Sequence, residues 1–375
     1  MNFKNFSLVI IAGGKSSRLG RDKRFVEVGG VGLLEKILGK AAAEDFAEIF
    51  LCVEENLPAL KILAERFGAK LLVDEIKSSG PLAGLAGGLA HTKTDWAAAI
   101  SADMPFFEFD ALFPLTEKFS AAQAVVPIVG GKFQPLAAFY CRELAEIFSA
   151  EVRGGQRKIF SAIKKIPHEF AELSGEEKFF NVNTPADLRL ARGRAENLSR
   201  PTPIISIVAP SSGTGKTFFI ERLVKIFSAQ KISVGVIKSD AHGFNLDAEG
   251  KDSFRFQTAG AKSVAVVSPG GWFMIQNSPE DFFSVAQKMT GVDLILTESR
   301  TKNFFPTISL WRGRGEIIAD EKVAAIFSSA PVASDEIYHF DLNDLAAAEK
   351  ICKFLAGFTQ CCKSRGRSPR TESHA

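Results

Sequence analysis

Twice in this chain an apolar run of strand length breaks into a loop that combines glycine with cations. Leu8-Val9-Ile10-Ile11-Ala12-Gly13-Gly14 leads into Lys15-Ser16-Ser17-Arg18-Leu19-Gly20-Arg21-Asp22-Lys23, and Ile204-Ile205-Ser206-Ile207-Val208-Ala209-Pro210 leads into Ser212-Gly213-Thr214-Gly215-Lys216-Thr217. A strand that is apolar throughout is buried on both faces, as in parallel sheets covered by helices. Glycine lets backbone N–H groups approach an anion closely, and the adjoining cations neutralise it. The fold class expected is therefore α/β in two domains, each with its ligand outside the carboxyl end of the first strand. Between the openings, Glu196-Asn197-Leu198-Ser199-Arg200-Pro201-Thr202-Pro203 carries two prolines that interrupt any helix. The expected division is a domain over 1–195, a linker over 196–203, a domain over 204–358 and a basic, disordered tail over 359–375.

Apolar runs at 47–53, 70–73 and 96–101 alternate with helical stretches at 33–43, 57–67 and 82–91, the pattern of βαβ units. The second half repeats it with a helix from Lys216 to Gln230 and strands at 233–238, 263–267, 292–297 and 323–327. Formal net charge is +3. Lys363, Arg365, Arg367 and Arg370 against Glu372 in the tail account for all of it, so the body offers no bulk field for nucleic acid or an anionic membrane. Cys52, Cys141, Cys352, Cys361 and Cys362 form no CxxC pair and read as reduced thiols. With no signal peptide or transmembrane run, the expected location is cytoplasmic. The 33 phenylalanines are assigned to core packing.

The first loop suits a polyphosphate, with Lys15, Arg18 and Lys23 placed to offset charge that would repel an anionic nucleophile; by itself it reads equally well as a solvated cationic turn. Asp103, at the end of the 96–101 strand, can hold Mg²⁺, which takes one or two carboxylates and fills its other positions with water and phosphate. The alternative for Asp103 is a helix cap. Asn181 and Asn183 offer uncharged donors and acceptors, while Thr184-Pro185 reads as an N-cap followed by Pro at the first helical position.

Taken in order, Ala12-Gly13-Gly14-x-Ser16-Ser17-Arg18-x-Gly20-x-Asp22-Lys23, Gly80-Pro81-Leu82-Ala83-Gly84, Asp103-Met104-Pro105, Gln134-Pro135-Leu136 and Asn181-Val182-Asn183-Thr184-Pro185 resemble the molybdenum cofactor guanylyltransferases, the MobA family. The resemblance runs from about Leu8 to Leu190 and implies a Rossmann-like nucleotidyltransferase sheet. It also implies transfer of GMP from GTP to the terminal phosphate of Mo-molybdopterin, with Mg²⁺ and release of pyrophosphate. It makes Lys23, Asp103 and Arg18 the catalytic set and Ile11, Ala12, Gly13, Gly14, Lys15, Lys23, Asp74 and Asp103 the GTP contacts. Asp103 then holds the metal, and Asn181 and Asn183 meet molybdopterin. Val53 departs from the family, many of whose members carry Asn near the end of that strand. Ile11-Ala12-Gly13-Gly14 resembles the guanylyl branch, cytidylyl relatives having Ala before the last Gly, so GTP is expected over CTP.

Ser212 to Thr217 follows a strand and opens a helix, the setting of a phosphate-binding P-loop. In it Lys216 reaches the β and γ oxygens and Thr217 takes a second Mg²⁺. Pro210 stands where the full pattern has Gly. The region from about Ile204 to Phe358 resembles the molybdopterin-guanine dinucleotide biosynthesis adapter, the MobB family. The resemblance rests on Val236-Ile237-Lys238, Gly250-Lys251-Asp252-Ser253, Ala259-Gly260-Ala261 and Asp293-Leu294-Ile295-Leu296-Thr297-Glu298. It implies a P-loop NTPase-like sheet that binds GTP, with Asp293 and Glu298 as Walker-B-like acids and Glu298 a metal ligand; the alternative for Glu298 is a solvated loop carboxylate. A His common in relatives after Ile-Lys is displaced, with His242 close by. The partners implied are GTP, Mo-molybdopterin, and molybdoenzymes, their chaperones or a molybdenum insertion protein. The two sites are expected to be separable, since residues 1–195 already hold a phosphate loop, a metal carboxylate and acceptor contacts. Rival readings are a P-loop regulator or scaffold with an inactive transferase half, and a sugar-phosphate nucleotidyltransferase fused to a kinase.

Overall fold

Every residue from Ser7 to Ile11 of the strand Phe6–Ile11 is buried, whichever face its side chain takes. Leu8 and Ile10 pack with Leu34, Ile37 and Leu38 of the helix Leu33–Ala42 and with Leu60 of the helix Pro58–Arg66. Val9 and Ile11 pack on the other face with Leu82, Leu85 and Leu89 of the helix Pro81–His91 and with Phe148 of the helix Leu144–Arg153. A computed structural model describes residues 2–13, 19–74, 80–239, 252–276, 280–300, 304–332 and 334–358. Its first compact unit takes in the described residues of 1–199, of 333–338 and from 353 on; the second takes in those of 200–332 and 339–352.

The main sheet of the first unit runs in the order His168–Leu173, Ala124–Val129, Ala137–Cys141, Trp96–Ser101, Phe6–Ile11, Glu48–Val53, Lys70–Val73. Phe6–Ile11 is parallel to both its neighbours, and Ala137–Cys141 runs antiparallel beside Trp96–Ser101. Strands and helices of the βαβ portion fall within a residue of their expected bounds. Strands after Trp96–Ser101 were not foreseen, and one reason is Pro127, which sits inside Ala124–Val129 and speaks against a central strand. Only part of the phenylalanines pack in the core as assigned: Phe3 stacks on Phe46 and Phe113 at 4.5 Å, and Phe107, Phe109, Phe139 and Phe148 are fully buried, whereas Phe218, Phe256 and Phe304 are half exposed or more.

In the second unit the described sheet is ordered Val234–Lys238, Leu294–Ser299, Ile204–Val208, Thr307–Trp311, Val323–Ser328, Tyr338–Asp341. The run at 263–267, expected in that sheet, instead forms a separate antiparallel hairpin, Ser263–Ser268 with Gly271–Gln276. Its Val267 and Trp272 are largely exposed, which a strand buried between helices would not allow. Cys52, Cys141 and Cys352 are free thiols, while Cys361, Cys362 and the basic tail lie outside the described residues. No helix among the described residues is long and apolar enough to cross a membrane.

Candidate functional site

Parallel strands end side by side, so the segments that follow them share one edge of the sheet. At that edge of the first unit Ala12 donates to the Cys52 carbonyl at 2.9 Å and Ala102 to the Ile11 carbonyl at 3.1 Å, carrying the pairing one residue past the strands. A cavity of about 280 Å³ opens there, lined by Ile11, Ala12, Gly13, Lys23, Arg24, Pro81, Ser101, Ala102, Asp103, Leu136, Asn181 and Asn183. All five sequence stretches singled out above contribute to this wall. Pro81 reaches it because Gly80, with φ of 73°, turns the chain into the helix Pro81–His91; a Cβ at Gly80 would lie 3.1 Å from the Arg157 carbonyl oxygen.

Asp103 is 5% exposed and Oδ2 accepts from Lys23 Nζ at 2.6 Å. Its Oδ1 is buried with no hydrogen-bond partner. The helix-cap alternative does not hold, since the next helical run, Phe109–Ala121, has Glu108 at its N-cap. A buried carboxylate oxygen without a donor suits a cation as its missing partner. The described residues hold no group of three metal-binding side chains, so a Mg²⁺ here would have Asp103 and substrate oxygens rather than a protein cage. Beside Lys23, Arg24 lines the cavity and is pinned by Asp22, its Nε and Nη2 donating to Oδ1 and Oδ2 at 2.8 and 2.6 Å. Burial pushes the Asp22 carboxyl up, but the bonds from Arg24 outweigh it and hold the group below the usual carboxylate range. Sequence reading passed over Arg24, although it directly follows Lys23.

Asp74 stands behind the glycine turn, its Oδ2 3.7 Å from the place a Cβ on Gly13 would take. Burial, reinforced by Glu54, pushes the Asp74 carboxyl up to about 6. Glu54 was also passed over. Val53, the position that departs from the family, is buried in the core, while Glu54 follows it and brings Cγ within 3.3 Å of that Gly13 point.

Asn181 and Asn183 enter the cavity wall through a segment tied at both ends. Val182 donates to the Asp103 carbonyl at 2.9 Å, and Asn181 Nδ2 donates to the Phe179 carbonyl at 3.0 Å. Thr184 caps the helix Pro185–Leu198 as expected: its hydroxyl accepts from Asp187 N–H, and Asp187 Oδ2 accepts from the N–H groups of Asn183 and Thr184. Tyr338 donates its phenolic proton to the other oxygen of Asp187. Gly14, Lys15 and Arg18, with Ser16 and Ser17, lie outside the described residues, as does His242.

In the second unit the chain turns from Val208 through Pro210-Ser211-Ser212-Gly213-Thr214 into the helix Lys216–Ala229, with Gly215 at its N-cap in the left-handed region at φ 95°. Thr214 Oγ1 donates to the Ser211 carbonyl at 2.8 Å, and the buried Lys216 reaches the same oxygen at 3.4 Å. Burial lowers the Lys216 pKa; Glu298 opposes this, and Arg300 and Lys238 add to it. Thr217 Oγ1 donates to Glu298 at 3.0 Å, so hydroxyl and carboxylate share one corner of the loop. Asp293 is not in that corner. It precedes Leu294–Ser299, at the opposite end of the strand, where its Oδ2 accepts from Ser233 N–H at 2.8 Å. Five residues of extended chain separate it from Glu298, some 16 Å at about 3.3 Å per residue.

The comparisons with known proteins fall on the same two units. Residues 8–167 match the family described as "MobA-like NTP transferase domain", and residues 204–329 match "Molybdopterin guanine dinucleotide synthesis protein B". A Natronomonas pharaonis protein named "Probable molybdenum cofactor guanylyltransferase" is 31% identical over 194 residues, which are 50% of this chain and 96% of that protein. A Pelotomaculum thermopropionicum protein of the same name is 30% identical over 198 residues, 50% of this chain and 93% of its own. Among solved structures, molybdopterin-guanine dinucleotide biosynthesis protein A from Archaeoglobus fulgidus has a TM-score of 0.44 at 24% identity, covering 50% of this chain and 97% of that one. Bacillus subtilis MobB has a TM-score of 0.32 at 21% identity, covering 41% of this chain and 99% of its own. With the cavity formed by the five motifs and relatives matched over nearly their whole length, this chain, a nucleotidyltransferase, belongs to the molybdenum cofactor guanylyltransferase family.

Proposed function

We propose that the first unit transfers GMP from GTP to the terminal phosphate of Mo-molybdopterin, forming molybdopterin guanine dinucleotide and pyrophosphate. The observation that carries this is one cavity wall shared by the glycine turn, Lys23, Asp103 and the Asn181/Asn183 segment. An acceptor phosphate oxygen bonds to the α-phosphorus of GTP as the bond to the β-phosphate bridge breaks. Both reactants are anions, so the protein contributes cations and alignment more than a base. Lys23 offsets phosphate charge, and Ile11 to Gly13 present backbone to the triphosphate. Asp74 and Glu54 put carboxylate acceptors beside the turn, a setting that suits the donor edge of guanine. Mg²⁺ fits at Asp103 through its unpartnered oxygen, where it would stabilise charge on the transferring phosphoryl group. Asn181 and Asn183 orient the acceptor.

By this reading the chain has a transferase domain over 1–195, a linker over 196–203 and a GTP-binding adapter domain over 204–358, with the described residues of 334–338 and 353–358 clustering in the first unit. In the adapter, Ser212 to Thr217 hold phosphates, and Thr217 with Glu298 supplies a second Mg²⁺ corner. The test is pyrophosphate release from the full chain with Mo-molybdopterin and each of the four nucleoside triphosphates. Turnover with GTP and little with CTP, ATP or UTP is expected; equal or better turnover with CTP, or turnover on a sugar phosphate in place of molybdopterin, refutes the assignment. Gly13→Ala sharpens it, because the new methyl would press on Glu54 Cγ at 3.3 Å and shift selectivity away from GTP.

A further inference from the structure

The phosphate loop of the second unit has two flanks, because Ile204–Val208 lies between Leu294–Ser299 and Thr307–Trp311, with Val208 level with Ser299 on one side and Ser309 on the other. Glu298 occupies the first flank and meets Thr217. The second flank ends in a tight turn, Trp311-Arg312-Gly313-Arg314-Gly315. The Trp311 indole donates to the Gly315 carbonyl at 3.0 Å, and Gly313 and Gly315 hold φ of 77° and 73°. This turn is braced on the phosphate loop at both ends. The point a Cβ on Gly315 would take is 3.2 Å from Pro210 Cβ. At the other end, the Arg312 guanidinium lies against the bare face of Gly215, with Nη2, Cζ and Nε at 3.2, 3.7 and 3.8 Å from the corresponding Cβ point.

A guanidinium laid on the last glycine of a phosphate loop, in an exposed side chain, is positioned to meet an anion that the loop holds. Lys216, Lys238 and Arg300 add to the positive field, against which Glu298 stands. Thr217 and Glu298 would hold Mg²⁺ at the β/γ end of a bound triphosphate. Arg312 is on the opposite flank, toward which the phosphates would then run back to the nucleoside. We propose that Arg312 is a nucleotide-binding residue of the second unit, its guanidinium bonding to the α-phosphate end of a nucleoside di- or triphosphate. The proposal rests on the reading of Ser212 to Thr217 as a nucleotide site.

The test is titration of the full chain, with Mg²⁺, by GTP and separately by GDP. The binding phase removed by Lys216→Ala identifies the second unit's site. Arg312→Ala should weaken that phase for GTP and GDP by a similar factor, roughly tenfold for one charged hydrogen bond. Arg312→Lys, which keeps the charge but not the planar fork, should recover part of the loss. Arg314→Ala, from the same turn, should change little. An unchanged phase in Arg312→Ala, a loss confined to GTP, or an equal loss in Arg314→Ala overturns the proposal while leaving the phosphate-loop reading in place. If Lys216→Ala removes no phase, the reading itself fails and the proposal with it.

Discussion

Asp103→Asn should abolish most turnover while leaving the unfolding midpoint close to its starting value. Two terms oppose each other in the stability. The exchange removes a charged bond to Lys23 at 2.6 Å, in a pair whose side chains are 23% and 7% exposed. A charged hydrogen bond contributes about 1.5–3 kcal/mol, discounted here because the lysine reaches solvent. Against that, the native carboxylate buries a charged Oδ1 without a donor, and the amide leaves a neutral group unpaired in its place, which is less costly by about 1–2 kcal/mol. The net change is within about 1 kcal/mol, and for a unit of this size each kcal/mol moves the midpoint by roughly 2–4 °C. Activity has no such offset, since the amide lacks the anionic oxygen that would hold Mg²⁺, and losing electrostatic stabilisation of a transferring phosphoryl group typically costs about 10²–10³-fold. Pyrophosphate release at saturating GTP, read beside a thermal melt, separates the cases. Wild-type turnover in the folded variant, or a midpoint lowered by more than about 6 °C, would refute the reasoning that this carboxylate is kept at a stability cost for its chemistry.

Asp74 has a folded pKa of about 6, above its ordinary value of 3.8, so the fold disfavours its ionised form. Its contribution to stability therefore rises as pH falls from about 6 toward 4 and is lost as pH climbs back. The KM for GTP should rise below pH 6 as the acceptor is protonated, and Asp74→Asn should flatten both profiles; a wild-type KM that is level from pH 5 to 8 contradicts this. At Gly88 a new Cβ would lie 2.4 and 2.7 Å from the two Val9 methyls. Gly88→Ala gains about 1 kcal/mol of helix propensity against about 1–3 kcal/mol of overpacking, so it should lower the melting midpoint, with partial rescue by Val9→Ala. A more stable single variant would show that the helix Pro81–His91 can lift off the strand at no cost. A chain ended after Ser199 deprives Arg194 and Asn197 of the Phe354 and Leu355 carbonyls, which they reach at 2.7 and 3.1 Å. Amides of the helix Pro185–Leu198 should then exchange faster than in the full chain, and equal protection would count against those contacts.

The parts of the fold legible in the sequence are those where one local signal has one structural solution. Leu8 to Ile11 is apolar on both faces, and burial on both faces is what it receives. The Gly215-Lys216-Thr217 turn into a helix is equally local. The hairpin beginning at Ser263 misled because a short β-branched run has no mark of whether helices will cover it. The five motifs of the first site were found through a family resemblance; their meeting in one cavity depends on sheet order, which no window of sequence contains. Glu54 escaped notice for the same reason, since its neighbours Gly13 and Asp74 come from two other strand ends.

The two acids of the Asp293 to Glu298 segment show how strand direction, and not residue type, assigns chemistry. Both are carboxylates flanking one apolar run, and a motif reading admits either beside the phosphate loop. Parallel pairing of Leu294–Ser299 with Ile204–Val208 removes the ambiguity: Ile204 is level with Ile295 and Val208 with Ser299, so the carboxyl ends of the two strands coincide. Glu298 thus arrives where Thr217 opens its helix, and Asp293 arrives where Ser233 has an N–H to satisfy. The same logic governs the first unit. Asp103 and the glycine turn are both continuations of parallel neighbours, Trp96–Ser101 and Phe6–Ile11, and their nearness follows from the register Ile11 with Ser101. Lys23 then needs only the short helical turn Lys23–Phe25, capped by Asp22, to come back over the strand ends and reach the carboxylate.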